Sequence, residues 1–133
     1  MIRCLLIAGD KEARDVVKVG LEQTGAFEID TAEDAWAFEM VKTKPYQVVV
    51  VDTTLADGGD GFELLRRVRE ALPQCEILLL SRAENQTRVA GKDKKEFGVY
   101  AFVPYPLDTL DFFKTVARLV DRLNAAAPAT AAA

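Results

Sequence analysis

The sequence predicts an α/β fold in which five parallel strands are covered by helices. Short apolar runs alternate along the chain with amphipathic segments, which is typical of repeated βα units whose strands are buried on both faces. The chain has 133 residues, half of them hydrophobic, so it is long enough for one domain with its own core and short for two. We therefore expect one three-layer α/β/α domain over residues 1–124.

Three strands and two helices are predicted in the first half of the chain. The strands are "CLLIA" (4–8), "FEID" (27–30) and "YQVVVVD" (46–52). Apolar residues recur at helical spacing between these strands, and Gly25 and Pro45 are placed where helices end. The first helix is expected to bury a stripe made of Ala13, Val16, Val17 and Leu21.

The second half repeats this pattern. A third helix with an apolar stripe from Phe62 to Leu72 is followed by the strands "EILLLS" (76–81) and "VYAFV" (99–103). The polar segment 82–97 is predicted as a fourth helix. The stripe of the fifth helix consists of Leu107, Leu110, Phe113, Val116, Val120 and Leu123. The tail "AAAPATAAA" (125–133) is predicted to be a disordered end or a linker.

Composition excludes several classes of function. The net charge is −4 and the basic residues are scattered, so we expect no nucleic-acid binding by this domain. Histidine is absent, which excludes imidazole catalysis and His–metal sites. Cys4 and Cys75 make neither a disulfide framework nor a zinc cluster, and we expect both thiols to be buried. No signal peptide or membrane span is visible, so the chain is expected to be cytoplasmic.

Polar residues follow several of the predicted strands. Gly9 and Asp10 come after the first strand, Asp52 closes the third, Ser81 closes the fourth, and Tyr105 and Pro106 follow the fifth. Open α/β sheets bind ligands at the carboxyl ends of their strands. Two acids on adjacent strands repel each other unless a cation lies between them, and Mg²⁺ prefers oxygen ligands with one or two carboxylates. We therefore expect a Mg²⁺ site at this edge.

These residues resemble those of a known family. With "VVVVD" (48–52), "DGFELLRRVRE" (60–70), Ser81 and Pro106, residues 2–124 resemble the receiver domains of two-component response regulators. The resemblance implies a doubly wound, flavodoxin-like sheet with strand order 2-1-3-4-5. It further implies that Asp52 is the phosphoacceptor, that Ser81 contacts the phosphoryl group, and that Phe102 occupies an aromatic switch position. The Mg²⁺ ligands would be Asp10, Asp52 and the Thr54 carbonyl.

The resemblance also implies partners. The phosphoryl group would come from a histidine kinase or another phosphodonor. A protein partner would bind the surface formed by the fourth helix, the fifth strand and the fifth helix.

The sequence departs from the family pattern at four places. Gly9 stands where the first of two acids is usual, and Tyr105 replaces a lysine before Pro106. Arg82 follows Ser81 where a small residue is usual; it either blocks the pocket, supplies positive charge, or is solvated. The loop after Asp52 has one extra residue before "DGF". These changes weaken the expected metal affinity and phosphoryl transfer.

Three functions remain open at this stage. The chain is either a receiver that accepts a phosphoryl group at Asp52, or a degenerate receiver that acts as a protein-interaction module without phosphorylation. An enzyme on the same sheet is disfavoured, because a phosphatase would need a further acid after Asp52. A flavodoxin would need a Ser/Thr/Gly-rich phosphate loop after the first strand. We expect a signalling domain and not an enzyme.

Overall fold

The computed structural model describes residues 1–34, 36–53, 61–82 and 99–131. The elements in these ranges are β1 (Ile2–Ile7), α1 (Lys11–Glu22), β2 (Phe27–Ala32), α2 (Ala37–Val41), β3 (Val48–Asp52), α3 (Gly61–Ala71), β4 (Glu76–Arg82), β5 (Ala101–Tyr105) and α4 (Thr109–Ala131). The predicted fourth helix falls almost entirely on residues 83–98, outside the described residues. Helix α4 is therefore the helix that the sequence predicts as the fifth.

The five strands form one parallel sheet with the order β2-β1-β3-β4-β5. This confirms the predicted doubly wound, flavodoxin-like α/β fold. Strands β1 and β3 pair at the centre, with Ile7 opposite Val51, and β3 pairs with β4, with Asp52 opposite Leu80. Because all strands run in one direction, their carboxyl ends lie along one edge of the sheet.

Each face of the sheet has its own apolar core, because successive strand residues point to opposite faces. On one face Leu5, Val49 and Ile77 pack in a cluster that includes residues of α2 and α3. On the other face Leu6, Val50 and Leu78 pack in a cluster that includes residues of α1 and α4. The α/β/α layering is thus built from alternate residues of the same strands.

The buried faces of α1 and α4 differ from the predicted stripes. Val16 is exposed on α1, and on α4 Leu110 is 63% exposed and Phe113 is also exposed. Among the α4 side chains that the structure describes, Val116 is buried as predicted, and Phe112 and Leu119, which lie outside the predicted stripe, are buried as well. Phe112 packs against Gly20 of α1, where an added Cβ would lie 2.8 Å from the ring atom Cε2. This close approach of the two helices places Phe112, and not Phe113, on the buried face of α4.

Two ends in the second half also differ from the predictions. Strand β5 runs from Ala101 to Tyr105, two residues later than predicted, and includes Pro104. A proline is tolerated there because β5 is an edge strand. Helix α4 continues to Ala131, through most of the segment 125–133 that is predicted to be a disordered end or a linker. The domain boundary at residue 124 stays a prediction.

The end of α1 agrees with the prediction. Gly25 follows the helix with φ +68°, a left-handed conformation that glycine adopts without steric cost. None of the helices in the described ranges combines the length and apolar character needed to cross a membrane.

Candidate functional site

Asp52 lies at the centre of the carboxyl edge of the sheet. The four valines before it are buried, and Asp52 itself is 0% exposed. The next residue, Thr53, is also buried, and its backbone N–H donates to the Leu80 carbonyl of β4 at 3.1 Å. Asp52 therefore lies on a rigid strand whose backbone is hydrogen-bonded to β4 on both sides of the acid.

The first residue of α3 packs directly on the backbone of Asp52. Gly61 donates its N–H to the Thr53 carbonyl at 3.3 Å. A Cβ on Gly61 would lie 2.7 Å from the Thr53 Cα and would also collide with the Asp52 carbonyl oxygen. Only glycine fits, which gives a steric reason for the glycine of "DGF". Sequence reasoning used this motif without finding the contact, because the sequence does not show which backbone a glycine approaches.

Asp10 lies just beyond β1, the strand next to β3. It is the N-cap of α1, and its Oδ2 accepts a hydrogen bond from the Ala13 N–H at 3.2 Å. Its side chain is exposed, and Gly9 before it is half-buried. A carboxylate has a second acceptor oxygen, so capping a helix does not prevent Asp10 from binding a metal.

Arg14 is a residue of this edge that sequence reasoning missed. Its Nη1 donates to the Ala8 carbonyl at 2.9 Å and lies 3.8 Å from Oε2 of Glu33. The signal that could have found it is its position three residues before Val17 and seven before Leu21, both buried. A charged side chain on the buried face of a helix needs a polar partner at the end of that face.

Strands β4 and β5 bring the remaining predicted residues to the same edge. Ser81 is opposite Pro104, and Arg82 is opposite Tyr105. Tyr105 is half-buried and Pro106, joined to it by a cis peptide bond, is exposed. The backbones of Ser81 and Arg82 are described, whereas their side chains lie outside the described part, as does Thr54.

Phe102 lies further back on β5. It is opposite Leu79 and half-buried, and it packs against the core cluster on the α2–α3 face. The Phe102 ring therefore contacts the core and is also partly exposed to solvent. The predicted switch role of Phe102 stays a prediction.

The donor set at this edge suits Mg²⁺. Asp10 and Asp52 follow adjacent paired strands and offer carboxylate oxygens, and Mg²⁺ takes one or two carboxylates and completes its octahedron with water and phosphate oxygens. Within residues 1–34, 36–53, 61–82 and 99–131, no three His, Cys, Asp or Glu side chains gather in a metal-binding cluster.

The two thiols do not contribute chemistry to this edge. Burial raises the pKa of the Cys4 thiol to about 12, with a further contribution from the charge of Asp30. Burial also raises the pKa of Cys75 to about 11. Both cysteines are free and buried, as the sequence predicts, and they act as small apolar residues.

Comparison with solved structures supports the same fold. The REC domain of AraT, a response regulator from Geobacillus stearothermophilus, superposes with a TM-score of 0.80 at 20% identity, covering 92% of this chain and 95% of that one. The receiver domain of NtrX from Brucella abortus gives a TM-score of 0.75 at 22% identity, covering 89% of this chain and 98% of that one.

Sequence comparison identifies the family. The chain is 29% identical over 115 residues to the DNA-binding transcriptional regulator NtrC of Rhizobium meliloti (strain 1021), a match that covers 86% of this chain and 23% of that protein. The chain thus spans about a quarter of the length of this relative. The family model for the response regulator receiver domain matches residues 4–117. The chain therefore belongs to the response regulator receiver domain family of two-component systems.

Proposed function

We propose that the chain is a signalling domain that accepts a phosphoryl group on Asp52 with the help of Mg²⁺. The observation that carries this proposal is the position of Asp52: an acid at the carboxyl end of the central buried strand, on a backbone fixed by Leu80 and Gly61. A nucleophile gains from such rigid mounting, because the geometry of attack is then set before the donor arrives.

The transfer exchanges one bond to phosphorus for another. A carboxylate oxygen of Asp52 forms a bond to phosphorus, while the bond from phosphorus to the donor breaks and its electron pair leaves with the donor. With a histidine kinase as donor, the broken bond is the P–N bond of a phosphohistidine. Asp10, Asp52 and the Thr54 carbonyl would hold Mg²⁺, which neutralises negative charge on the phosphoryl oxygens.

The other pocket residues have smaller proposed roles. Ser81 would donate a hydrogen bond to the phosphoryl group, and Arg82 would lie at the pocket entrance. Tyr105 can donate a hydrogen bond but carries no positive charge. The ion pair that the usual lysine would make at about 4 Å corresponds to as much as ~4 kcal/mol at an effective dielectric of about 20. Because Tyr105 cannot make this ion pair, we expect slow phosphoryl transfer to Asp52.

The output is proposed to pass through protein contacts. A change in Phe102 and Tyr105 of β5 would be read at the surface formed with α4 and the segment of the predicted fourth helix. The DNA binding named for the NtrC relative is not expected of these 133 residues, whose net charge is −4. We propose a cytoplasmic location, where a kinase donor and Mg²⁺ are both present.

Intact-mass spectrometry after incubation with acetyl phosphate and Mg²⁺ tests the proposal. We expect one phosphoryl group on the wild-type chain and none on Asp52→Asn. Asp57→Asn, which changes another acid of the loop after β3, is the matched control and should keep the adduct. An adduct that persists in Asp52→Asn would refute Asp52 as the acceptor.

The second candidate is a receiver that acts as an interaction module without phosphorylation. The observation favouring it is that Gly9 and Tyr105 replace an acid and a lysine of the usual pocket. Absence of any adduct on the folded wild-type chain, with either acetyl phosphate or phosphoramidate, would select this candidate over the first.

A further inference from the structure

Arg14 is an arginine on the buried face of α1. It precedes Val17 by three residues and Leu21 by seven, and both of these are fully buried. The Arg14 side chain is 17% exposed. Arginine is seldom buried to this degree without polar partners, so its partners indicate what it does.

Two hydrogen bonds from Arg14 enclose the turn between β1 and α1. The Arg14 backbone N–H donates to the Asp10 carbonyl at 2.9 Å. The Arg14 side chain reaches back through Nη1 to the Ala8 carbonyl, also at 2.9 Å. The first is the ordinary i→i−4 bond that any residue at position 14 would make. The second is specific to the arginine side chain and restrains Ala8, the residue before Gly9, in the turn that carries the first metal-ligand candidate.

The same guanidinium links β1 to the end of β2. The Ala8 N–H donates to the Ala32 carbonyl at 3.0 Å, and Glu33 follows Ala32. The carboxylate of Glu33 lies 3.8 Å from Nη1 of Arg14, and its side chain is 62% exposed. An ion pair this exposed is weak, so the bond to the Ala8 carbonyl is the contact that holds the guanidinium.

The turn needs such a restraint because its middle residue is glycine. Gly9 lacks a Cβ and has wide backbone freedom, which lets Asp10 move relative to Asp52. We propose that Arg14 is a positioning residue: it restrains the Ala8–Asp10 turn and so holds Asp10 where it faces the same ion as Asp52. The part that concerns the ion rests on the proposed function.

Three variants separate the roles of the guanidinium. Arg14→Met removes its charge and its hydrogen bond, Arg14→Lys keeps a charged donor, and Glu33→Gln removes the ion pair but leaves the bond to Ala8. Amide hydrogen exchange at Gly9 and Asp10, measured by NMR without metal, reports the turn itself. Mg²⁺ titration of the same signals gives the metal affinity, and thermal unfolding shows that each variant is folded.

We expect Arg14→Met to speed exchange at Gly9 and Asp10 and to weaken Mg²⁺ binding by about tenfold, the size of effect seen when groups that orient metal ligands are removed. Arg14→Lys should restore most of both properties, and Glu33→Gln should stay within about twofold of the wild-type chain. If Arg14→Met does not fold, Arg14→Gln, which has a shorter, uncharged side chain, takes its place with the same expectation.

Unchanged exchange in Arg14→Met would overturn the inference. If the wild-type chain binds Mg²⁺, faster exchange in Arg14→Met without any loss of Mg²⁺ affinity would overturn it as well. A wild-type chain without any Mg²⁺ response refutes the metal part of the proposed function instead. In that case the exchange data alone decide whether Arg14 holds the turn.

Discussion

Among single residues, Gly61 has the most direct effect on the position of Asp52. Its backbone lies against the carbonyl of Asp52 and the Cα of Thr53, so helix α3 begins in contact with the strand end that carries the acid. This contact needs no side chain. The proposed phosphoacceptor depends on this packing as well as on its own carboxylate.

Gly61→Ala should impair phosphorylation beyond its effect on stability. The new methyl group has to displace the backbone at Asp52, and overpacking of this kind destabilises by about 1–3 kcal/mol. Gly25→Ala is the matched control: it has open space but a φ of +68°, so it should destabilise by about 1–2 kcal/mol through backbone strain, at the opposite end of α1 from Asp10.

Urea unfolding and the rate of adduct formation from acetyl phosphate would measure the two effects. We expect Gly61→Ala to slow phosphorylation while Gly25→Ala, with a similar loss of stability, leaves it unchanged. Equal rates in the two variants would show that Asp52 tolerates a shift of its backbone.

The sequence identifies the acids of the site better than the contacts that hold them. Asp52 and Asp10 stand out because each closes or follows an apolar strand. The roles of Gly61 and Arg14 depend on which backbone atoms they contact. Those contacts are set by the folding of the whole chain and cannot be recognised in a local stretch of sequence. A single sequence therefore predicts which acids lie at this edge and not the contacts that restrain them.

At the level of strands and helices, β2 is tied to the segment before β3 by a polar link. The Tyr46 hydroxyl donates to Oδ2 of Asp30 at 2.6 Å, and Lys44 donates to the same oxygen at 2.9 Å. The bond from Tyr46, and then the one from Lys44, lowers the pKa of Asp30 below its ordinary value of 3.8. Burial, followed by the bond to Asp30, raises the pKa of Tyr46.

Tyr46→Phe should destabilise the domain by about 1–2 kcal/mol at neutral pH, the range for a hydrogen bond to a charged group that is partly exposed. A lowered folded-state pKa means that the stabilisation by Asp30 is present above its unfolded pKa and is lost as the pH falls through the folded value. The difference between wild type and Tyr46→Phe should therefore shrink below about pH 4.

Urea unfolding at pH 7 and at several values below 4 would measure this difference. Lys44→Met is the control, because it removes only a half-exposed ion pair and should cost less than about 1 kcal/mol. A Tyr46→Phe effect that is constant over this pH range would show that the ring, and not its bond to Asp30, stabilises the link.

The parallel sheet follows from the sequence pattern, and its strand order from the resemblance to receiver domains, more reliably than the faces and ends of the elements. Alternating apolar runs and helical stripes are enough to predict a parallel sheet. On α4 Val116 is buried as predicted, but Phe112 is buried where Phe113 was expected, because the two residues are equally apolar and the space over Gly20 decides between them. The shift of β5 to Pro104 and Tyr105 likewise depends on its place at the edge of the sheet.

For the molecule as a whole, the buried thiols report global unfolding. Cys4 lies in β1 and Cys75 just before β4, and β3 separates these strands, so the two residues are about 10 Å apart. This distance is too long for a disulfide bond. Their raised pKa values, about 12 and about 11, keep both thiols protonated in the folded chain at neutral pH.

Both thiols should therefore react with a disulfide reagent at pH 8 only when the domain opens. We expect the labelling rate to rise with urea in step with unfolding seen by circular dichroism, and Cys4 to be labelled no faster than global opening allows. Rapid labelling of Cys4 in the absence of urea would contradict the burial of β1 at the centre of the sheet. A Cys75→Ala variant isolates the signal of Cys4.

Chemical identification of the modified residue shows directly whether Asp52 carries the phosphoryl group. Borohydride reduces an aspartyl phosphate to homoserine, so peptide mapping after treatment with acetyl phosphate, Mg²⁺ and borohydride locates the acceptor. We expect homoserine at position 52 and at no other aspartate. Homoserine at Asp57, Asp60 or Asp10, with Asp52 unchanged, would contradict this expectation.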